Sequence, residues 1–176
     1  MNYAEIKKND IANGWGVRTV LFVSGCRNGC KNCFNRDTWD FNYGKPYTEE
    51  VENGIIESLA PDYVNGLSIL GGEPFEPENQ RELLELCKKV RKIYPNKDIW
   101  CYTGFTVEEL FDDNCRAKGE YTKTFLDNID VLVDGRYIES LKNISLQFRG
   151  SENQRVIDLN KSREQQKIVI WEKLRR

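Results

Sequence analysis

Three cysteines lie close together in the segment SGCRNGCKNCFN at positions 24–35. They are Cys26, Cys30 and Cys33. Thiolates at such short spacings bind zinc or iron, and both zinc sites and iron–sulfur clusters usually take four protein ligands. No fourth ligand lies nearby in the chain, so the sequence predicts a metal site in which one position is completed from elsewhere.

The other three cysteines are scattered singly, and each has an ordinary structural interpretation. Cys87 falls on the apolar side of a helical pattern and Cys101 falls in an apolar strand pattern, so both are expected in the core. Cys115 lies in a polar stretch and is expected to be an exposed thiol. Any of the three could fold back as a fourth ligand, but no spacing favours one of them.

The composition limits the kinds of chemistry that are possible. The chain has 176 residues, enough for one domain with a core, and its 39% apolar and 31% charged residues suit a soluble globular protein. A formal net charge of −2 gives no electrostatic reason to expect a nucleic-acid or membrane partner. The absence of histidine excludes Ser-His and Cys-His nucleophiles and every mixed Cys/His zinc site.

The N-terminal segment and the hydropathy pattern predict a cytoplasmic protein. MNYAEIKKND at positions 1–10 is charged and lacks the apolar centre of a signal peptide. No apolar run approaches the ~20 residues that a membrane span needs. In a cytosolic protein, cysteines are expected to act as ligands or buried thiols rather than to form disulfides.

Strand-like and helix-like segments alternate along most of the chain. Apolar runs predict four strands, at 18–23, 66–70, 97–102 and 129–135. Helical patterns predict helices at 48–60, at 78–93 and from 106 onward, with Thr48 as an N-cap and Thr106 and Glu109 as a capping box. This alternation predicts a parallel sheet, and four units are too few for an eight-stranded barrel. We therefore expect an α/β protein with a partial (β/α) barrel or an open sheet.

The C-terminal end of the chain departs from this alternation. Segments 145–148 and 155–159 are expected to form a hairpin with Gly150 at its bend. The stretch after this hairpin is polar and basic. We therefore expect a single small domain over 1–159, closed by the C-terminal hairpin, and a tail over 160–176.

A second motif, GGEPF at 71–75, directly follows the second predicted strand, as the cysteine segment follows the first. Ligands of parallel α/β sheets bind beyond the carboxyl ends of the strands, so both motifs are expected at one edge. Gly71 and Gly72 let a small ligand approach the backbone closely. Glu73 can accept a hydrogen bond from an ammonium group, and Pro74 stiffens the turn.

The cysteine spacing followed by this glycine motif resembles the radical S-adenosylmethionine enzymes. In that family three cysteines hold a [4Fe-4S] cluster and S-adenosylmethionine binds the fourth iron, so the resemblance implies that a substrate completes the site. It also implies the partial barrel of that family. Many members have an aromatic residue before the third cysteine, whereas this chain has Asn32 there and Phe34 after it. The residue that stacks on the adenine is therefore open, between Phe34 and one elsewhere.

Further blocks resemble the activases of glycyl radical enzymes, and among these the activases of anaerobic ribonucleoside-triphosphate reductase. The resemblance covers residues 10–159, with Gly14-Trp15-Gly16 where the activases usually have Gly-Pro-Gly. The most discriminating block is RGSENQRVIDL at 149–159. The other blocks are CFNRDTWDF at 33–41, IWCYTGF at 99–105 and DVLVDGRY at 130–137.

The resemblance implies two sets of site residues. The cluster ligands would be Cys26, Cys30 and Cys33. The S-adenosylmethionine site would comprise Asn32, Cys33, Phe34, Gly71, Gly72, Glu73, Pro74, Thr103, Asp134 and Arg136. Thr103 and Asp134 would lie near the substrate or an associated cation, and Arg136 would pair with a carboxylate. Trp39 and Trp100 are expected to be packing residues, and RGSENQR is either an exposed turn or a contact with the reductase.

The implied function is activation of the anaerobic reductase. A reduced flavodoxin-type donor would supply one electron, and cleavage of S-adenosylmethionine would give a 5′-deoxyadenosyl radical. That radical would take hydrogen from a glycine Cα in the large subunit of the reductase. Three alternatives stay open: activation of another glycyl radical enzyme such as pyruvate formate-lyase or action on a small molecule, electron transfer by a simple iron–sulfur protein, and binding by a zinc-stabilised module.

Overall fold

The structure, a computed structural model, describes residues 1–173 and consists of one sheet with helices packed against it. In the described part, seven strands form the sheet: β1 (Asn2–Asp10), β2 (Val17–Val23), β3 (Lys45–Pro46), β4 (Val64–Gly71), β5 (Asp98–Tyr102), β6 (Val131–Asp134) and β7 (Arg155–Asp158). Their order is β3-β1-β2-β4-β5-β6-β7, so the sheet is open and is not a closed barrel. The helices are α1 (Glu49–Ser58), α2 (Pro77–Ile93), α3 (Val107–Phe111), α4 (Thr122–Asp127) and α5 (Leu159–Gln165).

The centre of the sheet is parallel, as the alternating pattern predicts. β2, β4, β5 and β6 run side by side in parallel and correspond to the four predicted strands, with β5 and β6 shorter than predicted. β1, β3 and β7 are antiparallel additions at the two edges. β1 could not be predicted from its sequence pattern, because this partly exposed strand is mostly polar and has no apolar run.

Local capping chemistry correctly predicted two helix starts. Thr48 accepts a hydrogen bond from the Val51 amide at 3.4 Å and begins α1. Thr106 and Glu109 make the reciprocal pair of a capping box at the start of α3. The sequence analysis missed α4 and α5, which have only six and seven residues and are too short to show a periodic pattern.

The predicted C-terminal hairpin is wrong. Residues 145–148 form no strand, and β7 pairs with β6, from Val131 opposite Asp158 to Asp134 opposite Arg155. Val156 and Ile157 are both fully buried, on opposite faces of the sheet, so β7 gains more apolar burial here than in an exposed hairpin. The intervening segment closes instead as a loop through a bridge between Lys142 and Ser151.

The chain after β7 folds back on the sheet. The Asp158 amide donates to the Val169 carbonyl at 2.9 Å, and the Trp171 amide donates to the Val156 carbonyl at 2.8 Å. The Trp171 ring packs edge-on against Trp100, with ring centroids 5.0 Å apart. The division into a domain over 1–159 and a tail over 160–176 stays a prediction, and the last three residues of that tail lie outside the described part.

Neighbouring residues along each strand point to opposite faces of the sheet. Cys101 and Leu132 belong to the core shared with the helices, whereas Trp100 and Val133 belong to a cluster on the other face. Cys87 and Cys101 are fully buried, which confirms them as core thiols, and Trp100 is confirmed as a packing residue. Cys115 is half-buried against the core rather than exposed.

The face away from the helices also holds a buried cation, Arg18. Its guanidinium donates to the Ser68 hydroxyl at 2.7 Å and to the Leu67 carbonyl at 2.8 Å, and it pairs with the Asp98 carboxylate at 2.6 Å. Burial lowers the pKa of Arg18, while Asp98 acts in the opposite direction. The guanidinium also lies over the Trp100 ring, 5.4 Å from its centroid.

Across residues 1–173, the helices are either too short or too polar for any of them to cross a membrane.

Candidate functional site

The cysteine loop, residues 24–35, follows β2 and is fixed by backbone hydrogen bonds. The Gly25 amide donates to the Thr38 carbonyl at 2.8 Å, and the Cys26 amide donates to the Trp39 carbonyl at 3.2 Å. Gly25 has a φ of 93°, and a Cβ there would lie 2.4 Å from the Phe41 ring. Glycine is therefore required where the loop leaves the strand.

The glycine turn, residues 71–75, lies directly beside this loop. Val23 and Gly71 are register partners at the ends of β2 and β4. The Gly72 amide donates to the Val23 carbonyl and the Glu73 amide donates to the Gly25 carbonyl, both at 2.8 Å. A Cβ on Gly72 would lie 2.6 Å from the Gly25 carbonyl oxygen. The two motifs thus meet at the carboxyl ends of adjacent parallel strands, as predicted.

Two adjoining cavities open at this edge of the sheet. The smaller one, about 150 Å³, is lined by all three clustered cysteines together with Phe34, Gly71, Gly72, Glu73 and Thr103. The wider one, about 500 Å³, shares Cys30, Cys33 and Phe34 with it and adds Asn32 and the loop at 142–150. The structure therefore places eight of the predicted site residues around the smaller cavity and a ninth, Asn32, in the wall of the wider one.

The three clustered thiols are partly buried and unpaired. Burial raises the pKa of Cys26 to about 12, while the backbone N–H of Asn28 acts in the opposite direction. Burial, and then the neighbouring Cys33, raise the pKa of Cys30. Metal binding at these two thiols would therefore have to displace their protons.

The donor set in this cavity fits an iron–sulfur cluster. Three thiols from one loop line one cavity, and the chain has no histidine that could replace a thiolate. In the described residues, no three Cys, Asp or Glu side chains already converge as a metal-binding group. Each cysteine of an iron–sulfur cluster binds a different iron, so a cluster does not require the three thiols to meet at one metal ion.

Glu73 joins the cysteine loop to the ends of two strands. Its carboxylate is 1% exposed and accepts four hydrogen bonds within the protein. Thr103 Oγ1 donates at 2.7 Å, the Gly104 amide and the Asn28 side-chain amide donate at 2.8 Å, and the Phe75 amide donates at 3.0 Å. Burial raises the pKa of Glu73, and these donors act in the opposite direction.

Three predicted site residues do not line either cavity. Pro74 is buried in the glycine turn. Asp134 is fully buried and accepts from the Val107 amide and the Arg155 guanidinium, each at 2.9 Å. Arg136 is exposed and lies 3.5 Å from the Asn28 side-chain oxygen.

The RGSENQR block contains an exposed turn at Glu152 and Asn153, but its last three side chains also bind the end of β6. Asn153 donates to the Arg136 carbonyl at 2.8 Å, and Gln154 donates to the Gly135 carbonyl at 3.0 Å. Arg155 pairs with the Asp134 carboxylate. Residues 153, 154 and 155 thus hold residues 136, 135 and 134 in turn, and we call this arrangement the NQR clamp.

Sequence reasoning missed several residues at the site. Tyr102, Tyr137 and Gln154 line both cavities, and Trp39, expected only to pack, lines the smaller one. Tyr102 could have been predicted from its place at the end of a strand, since strand ends carry sites in parallel sheets. The other three depend on how distant loops meet, and no local pattern indicated them.

Comparison with known proteins agrees with this geometry. Residues 12–157 match the family model described as a 4Fe-4S single cluster domain. An anaerobic ribonucleoside-triphosphate reductase-activating protein of Vibrio cholerae is 43% identical over 156 residues, which cover 88% of this chain and 96% of that protein. The chain belongs to this family of activating proteins.

Two further members show how widely the similarity extends. The activating protein of Escherichia coli strain K12 is 40% identical over 156 residues, with the same coverage of both chains. The activating protein of Enterobacteria phage T4 is 36% identical over 156 residues, covering 89% of this chain and 93% of the phage protein. Membership in the family confirms the resemblance to the reductase activases drawn from the blocks between residues 10 and 159.

Proposed function

We propose that this chain is a radical S-adenosylmethionine enzyme that activates an anaerobic ribonucleoside-triphosphate reductase by generating a glycyl radical on its large subunit. One observation carries this proposal. In a member of the activating-protein family, the three clustered cysteines and the glycine turn line one cavity at the ends of adjacent parallel strands.

Cys26, Cys30 and Cys33 would hold a [4Fe-4S] cluster and leave one iron for the amino and carboxylate groups of S-adenosylmethionine. When bound, the cluster supplies one electron that cleaves the sulfur–C5′ bond, giving methionine and the 5′-deoxyadenosyl radical. A reduced flavodoxin-type protein is our proposed source of that electron. The protein contributes binding, orientation and seclusion from water.

The lining residues have separate tasks in this proposal. The backbone of Gly71 and Gly72 receives the methionyl amino group, because no side chain there blocks a close approach. Glu73 and Thr103 hold the two strand ends at a fixed distance through their mutual hydrogen bond. Asn32, Cys33 and Phe34 form the wall toward the wider cavity, with Phe34 one possible partner of the adenine.

Pro74 and Asp134 remain in the proposed site as residues that act through their neighbours, and Arg136 remains as a direct partner of the substrate. Pro74 stiffens the glycine turn. Asp134, which anchors the start of α3 and Arg155, keeps the end of β6 in place. Arg136 is near enough to the cysteine loop to meet the carboxylate of a bound substrate, since it reaches Asn28.

The wider cavity is the proposed entry for the reductase. It lies beside the cysteines, and its lining includes Lys142 and Arg149 but no carboxylate. We propose that a glycine-bearing segment of the large subunit enters there, in a cytoplasmic protein. We also propose that the sheet is the partial (β/α) barrel of the radical S-adenosylmethionine family, an assignment supported by its four parallel strands with helices on one face.

The test is anaerobic reconstitution with iron and sulfide, followed by reduction and addition of S-adenosylmethionine. We expect 5′-deoxyadenosine to form, and we expect Cys26→Ala, Cys30→Ala and Cys33→Ala each to abolish it. Cys115→Ala is the matched control and should retain activity. Addition of the reductase large subunit should then give the electron paramagnetic resonance signal of a glycyl radical.

Other outcomes of this experiment would contradict the proposal. A cluster that neither binds nor cleaves S-adenosylmethionine would indicate an electron-transfer protein. Stoichiometric zinc in place of iron would indicate a binding module. Cleavage of S-adenosylmethionine without a glycyl radical on the reductase would support the radical chemistry but contradict the proposal that the reductase is its target.

A further inference from the structure

The glycine turn leads into a second buried carboxylate, Glu76, which the proposed function leaves without a task. Glu76 is 0% exposed and lies three residues after Glu73, at the start of α2. A buried carboxylate is costly unless it is paired and hydrogen-bonded. Its partners therefore indicate what it is for.

The partners of Glu76 belong to the cysteine loop and to the segment after α3. Its Oε1 accepts from the Arg27 backbone amide at 2.8 Å and from the Arg116 guanidinium at 3.1 Å. Its Oε2 accepts from the Arg27 guanidinium at 2.7 Å. Arg27 lies between Cys26 and Cys30, so Glu76 holds both the backbone and the side chain of a residue that connects two cluster ligands.

Asn28 closes these contacts into a ring. Its side-chain oxygen accepts from Arg116 at 2.7 Å, and its side-chain amide donates to Glu73 at 2.8 Å. Its backbone N–H faces the Cys26 thiol. Glu76 thus binds Arg27, and Glu73 binds Asn28. Arg116 connects the two halves of the ring, because it donates to both Glu76 and Asn28.

Both arginines of the ring are also held by aromatic rings. The Arg27 guanidinium lies 4.2 Å from the centroid of Phe41, and the Arg116 guanidinium lies 4.5 Å from the centroid of Phe105. Stacking on an aromatic face restricts a guanidinium to few orientations. Although the Arg27 and Arg116 side chains are 47% and 37% exposed, their orientations are therefore restricted.

A neighbouring carboxylate provides an internal comparison. Glu78 also pairs with Arg27, but its side chain is 48% exposed and it touches no other member of the ring. Exposed ion pairs contribute little, because water already solvates both charges. Glu76 and Glu78 therefore share Arg27 as a partner, but they differ in burial and in the number of ring residues that they bind.

We propose that Glu76 is a positioning residue that holds Arg27 and Asn28, and through them Cys26 and Cys30, in the arrangement that binds the cluster. This inference rests on the proposed function only in that the loop binds an iron–sulfur cluster. Groups beyond the ligands orient metal sites, and charges near a cluster alter its reduction potential. Glu76 should therefore affect both cluster retention and potential.

The test compares Glu76→Gln with the matched control Glu78→Gln after anaerobic reconstitution. We expect Glu76→Gln to lose iron to a chelator about tenfold faster than the unchanged protein, because removing the support of a metal ligand typically weakens metal affinity roughly 10–100-fold. Its cluster potential should become less negative, because a negative charge near the cluster is gone. Glu78→Gln should match the unchanged protein in both measurements.

Arg116→Met separates geometry from charge. The methionine can still pack on Phe105, but it cannot bridge Asn28 and Glu76. We expect faster iron loss again, with a potential that shifts in the opposite direction because a positive charge is removed. This variant also decides the question if circular dichroism shows that Glu76→Gln apoprotein does not fold.

Clear results would overturn the inference. If both the Glu76 and Arg116 variants retain iron as the unchanged protein does, the ring does not position the cysteines. Equal loss in Glu76→Gln and Glu78→Gln would likewise reject the special role of the buried carboxylate. If the unchanged protein forms no cluster, the proposed function fails, and this inference fails with it.

Discussion

At the residue scale, Arg155 shows how burial sets the value of a charge. One edge of its guanidinium pairs with Asp134, whose side chain is 0% exposed. Another edge pairs with Glu108, whose side chain is 60% exposed. Removing one member of a buried pair leaves the other charge uncompensated, whereas an exposed member is replaced by water. The two carboxylates should therefore respond differently to the same substitution.

Asp134→Asn should lower the free energy of unfolding by about 2–3 kcal/mol. Loss of one partner from a fully buried pair costs roughly 3–5 kcal/mol, and the 30% exposure of the Arg155 side chain reduces this cost. Glu108→Gln, the matched control, should cost less than about 1 kcal/mol. Urea denaturation of the three apoproteins at neutral pH measures both effects, and equal losses would contradict the account.

Glu108 should also contribute to acid sensitivity. The hydrogen bond from Arg155 lowers the pKa of Glu108 to about 2, below the ~4.3 of an unfolded glutamate. Because the folded pKa is the lower one, this stabilisation is present above about pH 4.3 and is lost as the pH falls toward 2. The urea concentration at the midpoint of unfolding should therefore fall less in Glu108→Gln than in the unchanged protein when the pH is lowered from about 5 to about 2.5. An identical fall in both would reject the prediction.

At the element scale, the NQR clamp explains the role of the polar residues 153–155, which were expected to belong to a hairpin. Gln154 donates to the Gly135 carbonyl, and its side-chain oxygen accepts from the amides of Gly150 and Ser151 at 2.8 and 3.1 Å. One side chain therefore links the end of β6 to the loop that walls the wider cavity. Backbone groups that would otherwise need water are satisfied within the protein.

Gln154→Ala should loosen this loop without disturbing the centre of the sheet. Loss of these hydrogen bonds should lower the local opening free energy by about 1–3 kcal/mol. Amide hydrogen exchange at Gly150 and Ser151 should quicken accordingly, while the amides of β2 stay unchanged. Glu152→Ala is the control in the same loop, since its exposed side chain contacts only Asn143. If the exchange rates of the Gly150 and Ser151 amides do not change, Gln154 does not hold this loop.

At the scale of the whole molecule, the two faces of the sheet are covered in different ways. Helices cover one face, and the returning C-terminal segment covers part of the other through Trp171. Trp171 packs edge-on against Trp100 and Trp15, at centroid distances of 5.0 and 5.7 Å, and also meets Phe148 at 6.2 Å. Phe148 in turn lines the wider cavity, so this aromatic group supports the wall of the site.

Trp171→Ala should therefore lower the free energy of unfolding by about 2–4 kcal/mol, somewhat below the cost of removing a fully buried tryptophan. Lys173→Ala, which removes only the cation over the Trp15 and Trp171 rings at 5.6 and 6.0 Å, should cost about 0.5–1 kcal/mol. Thermal unfolding followed by near-ultraviolet circular dichroism measures the loss and reports on the Trp100 environment. A Trp171 variant as stable as the unchanged protein would show that the C-terminal segment is dispensable for the fold.

The sequence by itself determined the features that depend on nearby residues. The caps at Thr48 and Thr106 follow from side chains three positions from the amides they bind. The cysteine loop and the glycine turn lie together because apolar strands precede both, and parallel strands bring their carboxyl ends to one edge. The cysteine spacing and the glycine motif indicated a radical S-adenosylmethionine enzyme, and the further blocks, above all the one at 149–159, indicated the family of activating proteins.

Only the tertiary structure decided which distant partners each polar side chain meets. β7 pairs with β6 instead of 145–148, and Arg155 thereby reaches Asp134, 21 positions away. Glu76 reaches Arg116, 40 positions away, and becomes the buried centre of a ring of charged and polar side chains. A local pattern specifies backbone conformation, but the cost of burying a charge is offset by partners that only the packed chain brings together.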